Sequence, residues 1–306
     1  MRVGLTGSSG FIGTALIKAL RDRGDDVVRF VRPESATGEG RVIRWDPSRR
    51  LIDERDLSCA GGFDAVINLA GAGIGDKRWS TSRKQQILRS RVDSTTLLVE
   101  ALRSTSTGTA VLASGSAIGY YGSRGDEVLD ESSTPGNDFL AQACVRWEDA
   151  ASALREQGAT VAMLRTGITM GEGGGALKRQ LPLFRLGVGG PLSTGKQWLS
   201  PISLVDEVRA ILWIVDRKVS GPVNLTCPSP LTNSQFTREL AKSLHRPAVM
   251  RVPALVLEVA LGRQLTRDAV LASQRVVPLV LSEGGFVFDN PDLHAIISEV
   301  VRPRTN

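Results

Sequence analysis

An open, doubly wound parallel α/β sheet, followed by a small and mostly helical cap, is the fold this sequence predicts. Three observations carry the prediction. A glycine-rich turn lies between a short apolar strand and a helix at the very start. Strand-like and helix-like stretches then alternate as far as residue 244. From about Arg246 the alternation stops, and two or three helices remain with a short extended piece at residues 285–288.

Each element has a local reason. Residues 2–6 (RVGLT) are mostly apolar and read as a strand. Gly7, Gly10 and Gly13 follow at three-residue spacing, and Phe11, Ile12, Ala15, Leu16, Ala19 and Leu20 then fall at helical spacing. Strand, glycine loop and helix form the context in which such glycines hold a dinucleotide. The turn must be tight, the backbone must approach a pyrophosphate, and the helix must pack flush on the sheet. The unpaired N–H groups of the first helical turn face the anion, and Ser8 and Ser9 add hydroxyl donors. Gly7, Ser8, Ser9, Gly10, Phe11, Ile12 and Gly13 are therefore the candidate cradle of a Rossmann-type cofactor site.

Gly24 ends the helix, Asp25 and Asp26 make a turn, and residues 27–31 are the second strand. An acid at the end of that strand would bind the ribose hydroxyls of NAD. This chain has Arg32 there, with Arg29 nearby, which suits the 2′-phosphate of NADPH or NADP+. Solvated surface arginines are the plainer reading. Residues 33–40 form a loop and 41–45 a third strand. Asp46 either meets the adenine or starts the turn that Pro47 demands. Residues 65–69 are a fourth strand, running into Leu69, Ala70 and Gly71. A flat cofactor can lie close to such backbone at the carboxyl edge of the sheet.

Residues 81–103 read as a long helix, with Ile87, Val92, Leu97, Leu98 and Ala101 on its apolar face. A fifth strand, 110–113, runs into Ser114, Gly115 and Ser116. A polar loop (122–137), a helix (138–157) and a strand (160–165) come next. Glycines at 171–175 break the pattern, and Gly171, Gly173, Gly174 and Gly175 either cradle a phosphate or form a hinge. A helix (204–215), a last strand (223–226) and a helix (232–244) complete the alternation. The expected division is a cofactor domain of residues 1–165 and 200–228, with a substrate-side cap of 166–199 and 229–306.

Bulk numbers narrow the class. The chain has 306 residues and is 42% hydrophobic, enough for a full core. No apolar run approaches the roughly 18–20 residues of a membrane helix, and a strand at residue 2 leaves no room for a leader ahead of it. Three widely spaced cysteines make neither a disulfide framework nor a metal site. The expectation is a cytoplasmic protein with no membrane partner and no metal. The net charge of +6 comes from scattered arginines and favours an anionic ligand. With no basic tail and 5% aromatic residues, nucleic acid is not expected as a partner.

TGSSGFIG, NLAGAGIGDKRW, SRVDSTTLLVEAL, SGSAIGYYGSRGDEVLDE, LRTGITMGEGGGAL, FRLGVGGPLSTGKQW and LASQRVVP together resemble the epimerase-like atypical short-chain dehydrogenase/reductases. These are relatives of the NAD-dependent epimerase/dehydratase family with an extra C-terminal module. The resemblance covers residues 1 to about 297, and KRW, GYYG and GGPL are its specific parts. It implies an extended Rossmann sheet binding NADP(H), a substrate cap, a monomer or homodimer, and no settled reaction. Some relatives carry cell-division names.

The resemblance also shows what is missing. Such enzymes use a Tyr-x-x-x-Lys pair, because a neighbouring ammonium favours the anion of a phenol whose pKa is about 10. The only tyrosines are Tyr120 and Tyr121, and no lysine lies between Gln85 and Leu177. The dyad's positions fall near Leu140 and Cys144. Ser116 stands where the family's serine is expected, and Arg91 where its asparagine would be. Ser116, Tyr120 and Tyr121 are the candidate catalytic residues. Arg32, Leu69, Ala70, Gly71, Arg91 and Ser114 join the glycine loop as candidate cofactor contacts. Arg165 and Gly167, in the family's substrate-facing turn, are candidate substrate contacts. Glu148, four residues beyond Cys144, shares its helix face and serves as a general base only if a cleft buries it. The family's Trp-x-Ser-Trp-Ile-His-x-Asp-Asp stretch reads WLSPISLVD here, with Pro201, Ser203 and Val205 as departures.

Two functions fit. One is an NADPH-dependent reductase or epimerase of a small carbonyl or nucleotide-sugar-like substrate, with Ser116 and Tyr120 or Tyr121 acting on the carbonyl oxygen. The other is a non-catalytic NADPH sensor or regulator, linked to cell division by those relatives.

Overall fold

Short apolar strands separated by amphipathic helices assemble into one eight-stranded sheet. Its order is 221–225, 160–166, 109–117, 63–68, 2–6, 26–31, 41–46 and 51–52. The computed structural model describes residues 1–35, 40–104, 109–172, 174–175 and 177–301. Residues 36–39 of the expected loop, Gly173 of the glycine run and the last residues of the cap lie outside them. The strand Arg2–Thr6 pairs in parallel with Asp26–Val31 on one side and Phe63–Asn68 on the other. Strand order reverses at this point, so a crevice opens beyond the carboxyl ends of Arg2–Thr6 and Phe63–Asn68. Only the edge strand Leu51–Ile52 is shown antiparallel, to Arg41–Asp46.

The chain forms two compact units. The first comprises residues 1–116, 143–164 and 211–222. Its core joins Val28, Phe30, Ile43 and Val66 of the sheet to Leu97, Leu98 and Leu102 of the helix Thr81–Ser104. The second comprises residues 117–142, 165–210 and 223–306. It holds a three-stranded sheet (Gly174–Gly175, Ile168–Gly171, Pro201–Ser203) and two short strand pairs, Trp198–Leu199 with Leu231–Thr232 and Val128–Leu129 with Arg275–Val276. Its main core packs Met170, Leu177 and Phe184 with Phe236, Leu240, Ile296 and Ile297.

Several expectations needed correction. The helix expected over 138–157 runs from Phe139 to Ser152 and tightens into a 3₁₀ turn, Ala153–Gln157. The strand at Gly221–Leu225 is not the last, because Arg275–Val276 pairs with Val128–Leu129. No strand forms at 285–288; the Phe286 amide donates to the Leu281 carbonyl, and Phe286 and Phe288 meet edge to face there. The helices Glu54–Ala60 and Leu177–Arg185 were not foreseen. The first is only seven residues long and the second contains Pro182, which hides its periodicity. Thr232 caps the helix Asn233–Ser243 through a reciprocal bond with Gln235, as the polar turn there implied.

Candidate functional site

In the first unit, glycine packing builds the cradle. Gly7 has φ +66°, and a Cβ there would lie 2.6 Å from the Leu69 carbonyl oxygen. A Cβ on Gly13 would lie 2.2 Å from the Gly7 carbonyl oxygen, so the helix start sits directly on the turn. Gly10 begins the helix Phe11–Asp22 with no side-chain cap and no acid in the first turn. Its orphan N–H groups and positive dipole end are therefore left for an anion. Ser8 is buried, Phe11 and Ile12 are half-buried, and Ser9 is exposed.

A row of polar side chains crosses the carboxyl ends of three strands. Register places Thr6 beside Asn68, and Asn68 beside Ser114. Thr6 Oγ1 donates to Asn68 Oδ1 at 2.7 Å and accepts from the Leu69 and Ala70 amides at 3.0 and 3.1 Å. Asn68 Nδ2 donates to Thr95 Oγ1 (2.8 Å) and to Ser114 Oγ (3.2 Å), and Trp147 Nε1 donates to the same Thr95 oxygen (3.0 Å). This network fixes the Leu69–Ala70–Gly71 turn against the glycine loop. Sequence reasoning singled out Leu69, Ala70, Gly71 and Ser114 but missed Thr6, Asn68 and Thr95. A polar residue at each of two adjacent strand ends was the available signal.

Arg91 lies along this crevice. A Cβ on Gly71 would touch its side chain at 3.3 Å. Its Nη1 donates to the carbonyls of Ala72 and Ile87, and the guanidinium stands 5.1 Å from the Trp147 ring centroid. No carboxylate among the described residues pairs with it. Burial lowers its pKa from the ordinary arginine value; Cys144 opposes the shift and Arg83 reinforces it. Arg32 is exposed just beyond Asp26–Val31 and makes no ion pair among the described residues. Asp46 accepts from the amide and hydroxyl of Ser48 and so caps the Pro47–Arg49 turn.

Ser116 Oγ donates to Glu148 Oε1 at 2.6 Å, and both residues are buried. Glu148 projects from the helix Phe139–Ser152 one turn beyond Cys144. Leu140 and Cys144 are buried too. Ser116, at the position expected for the family's serine, is thus bonded to a buried carboxylate, while Leu140 and Cys144 occupy the positions expected for the dyad. A hydroxyl bonded to a carboxylate can pass a proton either way.

The second unit holds the tyrosines, on the 3₁₀ turn Ile118–Tyr121. Tyr121 is fully buried; its hydroxyl donates to Asn224 Oδ1 at 2.7 Å and accepts from Arg165 Nη1 at 3.0 Å. Burial pushes its pKa up to about 12 against the pull of Arg165. Tyr120 is half-buried, with the Arg165 guanidinium 3.5 Å from its ring centroid. Glu131 accepts backbone N–H groups of Asn224, Leu279 and Val280, and burial raises its pKa. At Gly167 a Cβ would lie 2.3 Å from the Ser200 carbonyl oxygen, so packed chain fills that side. Glu207 is wholly buried, accepts from Thr166 and Thr169, and burial raises its pKa to about 8.

Among the described residues, no cluster of three or more His, Cys, Asp or Glu could hold a metal, and no helix is long and apolar enough to cross a membrane.

Residues 3–226 match the NAD dependent epimerase/dehydratase family, and residues 252–300 match a domain of unknown function, DUF1731. The chain is similar to epimerase family protein Mb2239 of Mycobacterium bovis, 40% identical over 94% of this chain and 93% of that one. It is 34% identical to the mouse epimerase family protein SDR39U1 over 98% of this chain and 100% of that one. The crystal structure of human SDR39U1 (isoform 2) with NADPH superposes with a TM-score of 0.88 at 30% identity, over 98% of this chain and 99% of that one. A nucleoside-diphosphate sugar epimerase from Corynebacterium glutamicum superposes with a TM-score of 0.76 at 32% identity, over 98% of this chain and 58% of that one.

Proposed function

Because the chain belongs to the NAD dependent epimerase/dehydratase family, we propose that it is an NADP(H)-binding reductase or epimerase of a small carbonyl or nucleotide-sugar-like substrate. In this reading Ser116 and Glu148 replace the tyrosine–lysine dyad. The single observation that carries it is the buried 2.6 Å bond between Ser116 Oγ and Glu148 Oε1.

The cradle fits the cofactor. Gly7 and Gly13 leave only backbone where a Cβ would clash. The uncapped helix start would receive the pyrophosphate, and Arg32 would supply the charge for the 2′-phosphate that distinguishes NADPH from NADH. Arg91, without a carboxylate partner, is a second cation for that crevice. The human relative solved with NADPH supports the choice of cofactor.

NADPH, when bound, supplies the hydride. Ser116 Oγ would hold the substrate oxygen and give it a proton, and Glu148 would relay a replacement to the serine from solvent. In the opposite direction the substrate hydroxyl gives its proton to Ser116, and the Glu148 carboxylate takes the serine's. For an epimerase the proton taken up in one half-reaction is returned in the other; a reductase takes one proton from solvent per turnover through the pair. Tyr121 has its hydroxyl committed to Asn224 and Arg165, which removes it from the proton transfer. Three free thiols support placement in a reducing cytoplasm.

Calorimetric titration with NADPH and NADH, followed by turnover of a panel of carbonyl substrates, tests the reading. NADPH should bind at least about tenfold more tightly, and Arg32→Ala should erase most of that preference, the size of one exposed charge–phosphate contact. Ser116→Ala should remove turnover while leaving NADPH affinity unchanged. Failure to bind either nucleotide overturns the reading. Turnover that survives Ser116→Ala removes the pair from the chemistry.

A second reading is a non-catalytic NADPH sensor, favoured by the apolar Leu140 and buried Cys144 at the dyad's positions. It gains if partner capture depends on NADPH and is untouched by Ser116→Ala.

A further inference from the structure

The helix Ala254–Leu261 (ALVLEVAL) has no buried residue. Amphipathic surface helices normally bury an apolar stripe; here Leu257 and Leu261 are half-buried, while Leu255, Val256 and Val259 are exposed. Leu255, Val256 and Val259 lie within about a 100° arc of it, at 100° per residue. Val249 and Met250, a few residues before it, are exposed as well. The chain at 247–252 runs beside residues 187–193, through bonds from Val252 N to the Pro191 carbonyl (2.9 Å) and from Ser193 N to the Val252 carbonyl (2.8 Å). Leu186, just before that paired stretch, is also exposed. These six residues are between 54 and 85% exposed.

Charge brackets the patch with one sign. Arg246, Arg251 and Arg263 are exposed and form no ion pair among the described residues. The only acid between residues 245 and 263 is Glu258, and Arg267 Nε binds its Oε1 at 3.1 Å. Apolar side chains bracketed by uncompensated arginines match an anionic lipid interface. There the hydrocarbon takes the aliphatic groups, and the headgroups take the guanidinium charges. A second copy of this chain would instead bring three more unpaired arginines to the same face.

We propose that Val249–Arg263 is an in-plane docking element that seats the protein on anionic membrane surfaces. No span is involved; the helix lies in the headgroup layer.

Flotation of the full-length protein with phosphatidylcholine vesicles, with and without phosphatidylglycerol, tests this. Binding should need the anionic lipid, fall at high salt, and drop at least about tenfold in Val256→Asp/Val259→Asp, since two buried aliphatic contacts are lost. Arg251→Glu should lower binding to anionic vesicles only. Thermal melting and NADPH affinity of each variant, matched to the parent, show that it is folded. The proposal is overturned by absence of binding to anionic vesicles, by equal binding to neutral ones, or by binding unchanged in the aspartate variant. It is overturned equally by a concentration-dependent dimer that the aspartate variant abolishes, since the face then belongs to a second copy.

Discussion

Ser116 Oγ donates to Glu148 Oε1 at 2.6 Å, across 32 residues of sequence. The serine is the last residue but one of the strand Thr109–Ala117, and the helix Phe139–Ser152 carries the carboxylate that it meets. Glu148→Gln keeps the size of the side chain and removes its proton exchange. Turnover should fall by about 10²–10⁴-fold, the range for a lost general acid–base group, with NADPH affinity unchanged by calorimetry. A parallel fall in NADPH affinity would assign Glu148 to packing instead.

Gly13→Ala places a methyl where the Gly7 carbonyl oxygen lies 2.2 Å away. Neither backbone can give without tilting the helix off the turn. We expect about 1–3 kcal/mol of destabilisation, the usual cost of overpacking. NADPH binding should weaken by more than the stability loss explains, because the N–H groups that meet the pyrophosphate shift with the helix. Chemical denaturation and calorimetry check the two parts separately.

Tyr120 and Tyr121 should part company on substitution. Tyr121→Phe strands Asn224 Oδ1 in a buried site and takes one of its acceptors from Arg165 Nη1, which keeps the Glu131 carbonyl, and should cost about 1–3 kcal/mol of stability. Tyr120→Phe keeps the ring under Arg165 and should leave the melting temperature nearly unchanged. Its effect should fall on turnover.

Glu207 gives the pH dependence a definite sign. Its folded pKa is raised to about 8 by burial, above the ordinary value of 4.5. Between those values the folded chain keeps a proton that the unfolded chain releases. Stability from this group is therefore complete below about pH 4.5 and is lost as pH rises toward 8, with a limiting slope of about 1.4 kcal/mol per pH unit. Glu131, also raised, acts in the same direction. Denaturation midpoints measured from pH 5 to 8 should fall in the parent and flatten in Glu207→Gln. An equal fall in both would assign the dependence elsewhere.

The cofactor half of the molecule was legible because its signals are local. Glycine spacing, the helix that follows and the strand before it lie within the first 22 residues. Asp46 could be read two ways, and its bonds to Ser48 show the turn in place. The helix Leu177–Arg185 and the strand Arg275–Val276 were hidden, since each is short and held by partners far along the chain.

Sequence alone determined the parallel sheet, the glycine turn between strand and helix and the absence of a tyrosine–lysine dyad, and it nominates Arg32 for the phosphate. All of these follow from residue type and nearest-neighbour spacing. Tertiary structure alone decided that Glu148 is buried on Ser116, that Tyr121 rather than Tyr120 is locked in a core, and that Thr6, Asn68 and Ser114 form one row. Burial and register depend on which strands lie side by side. That is set by packing across the whole chain, which no local window contains.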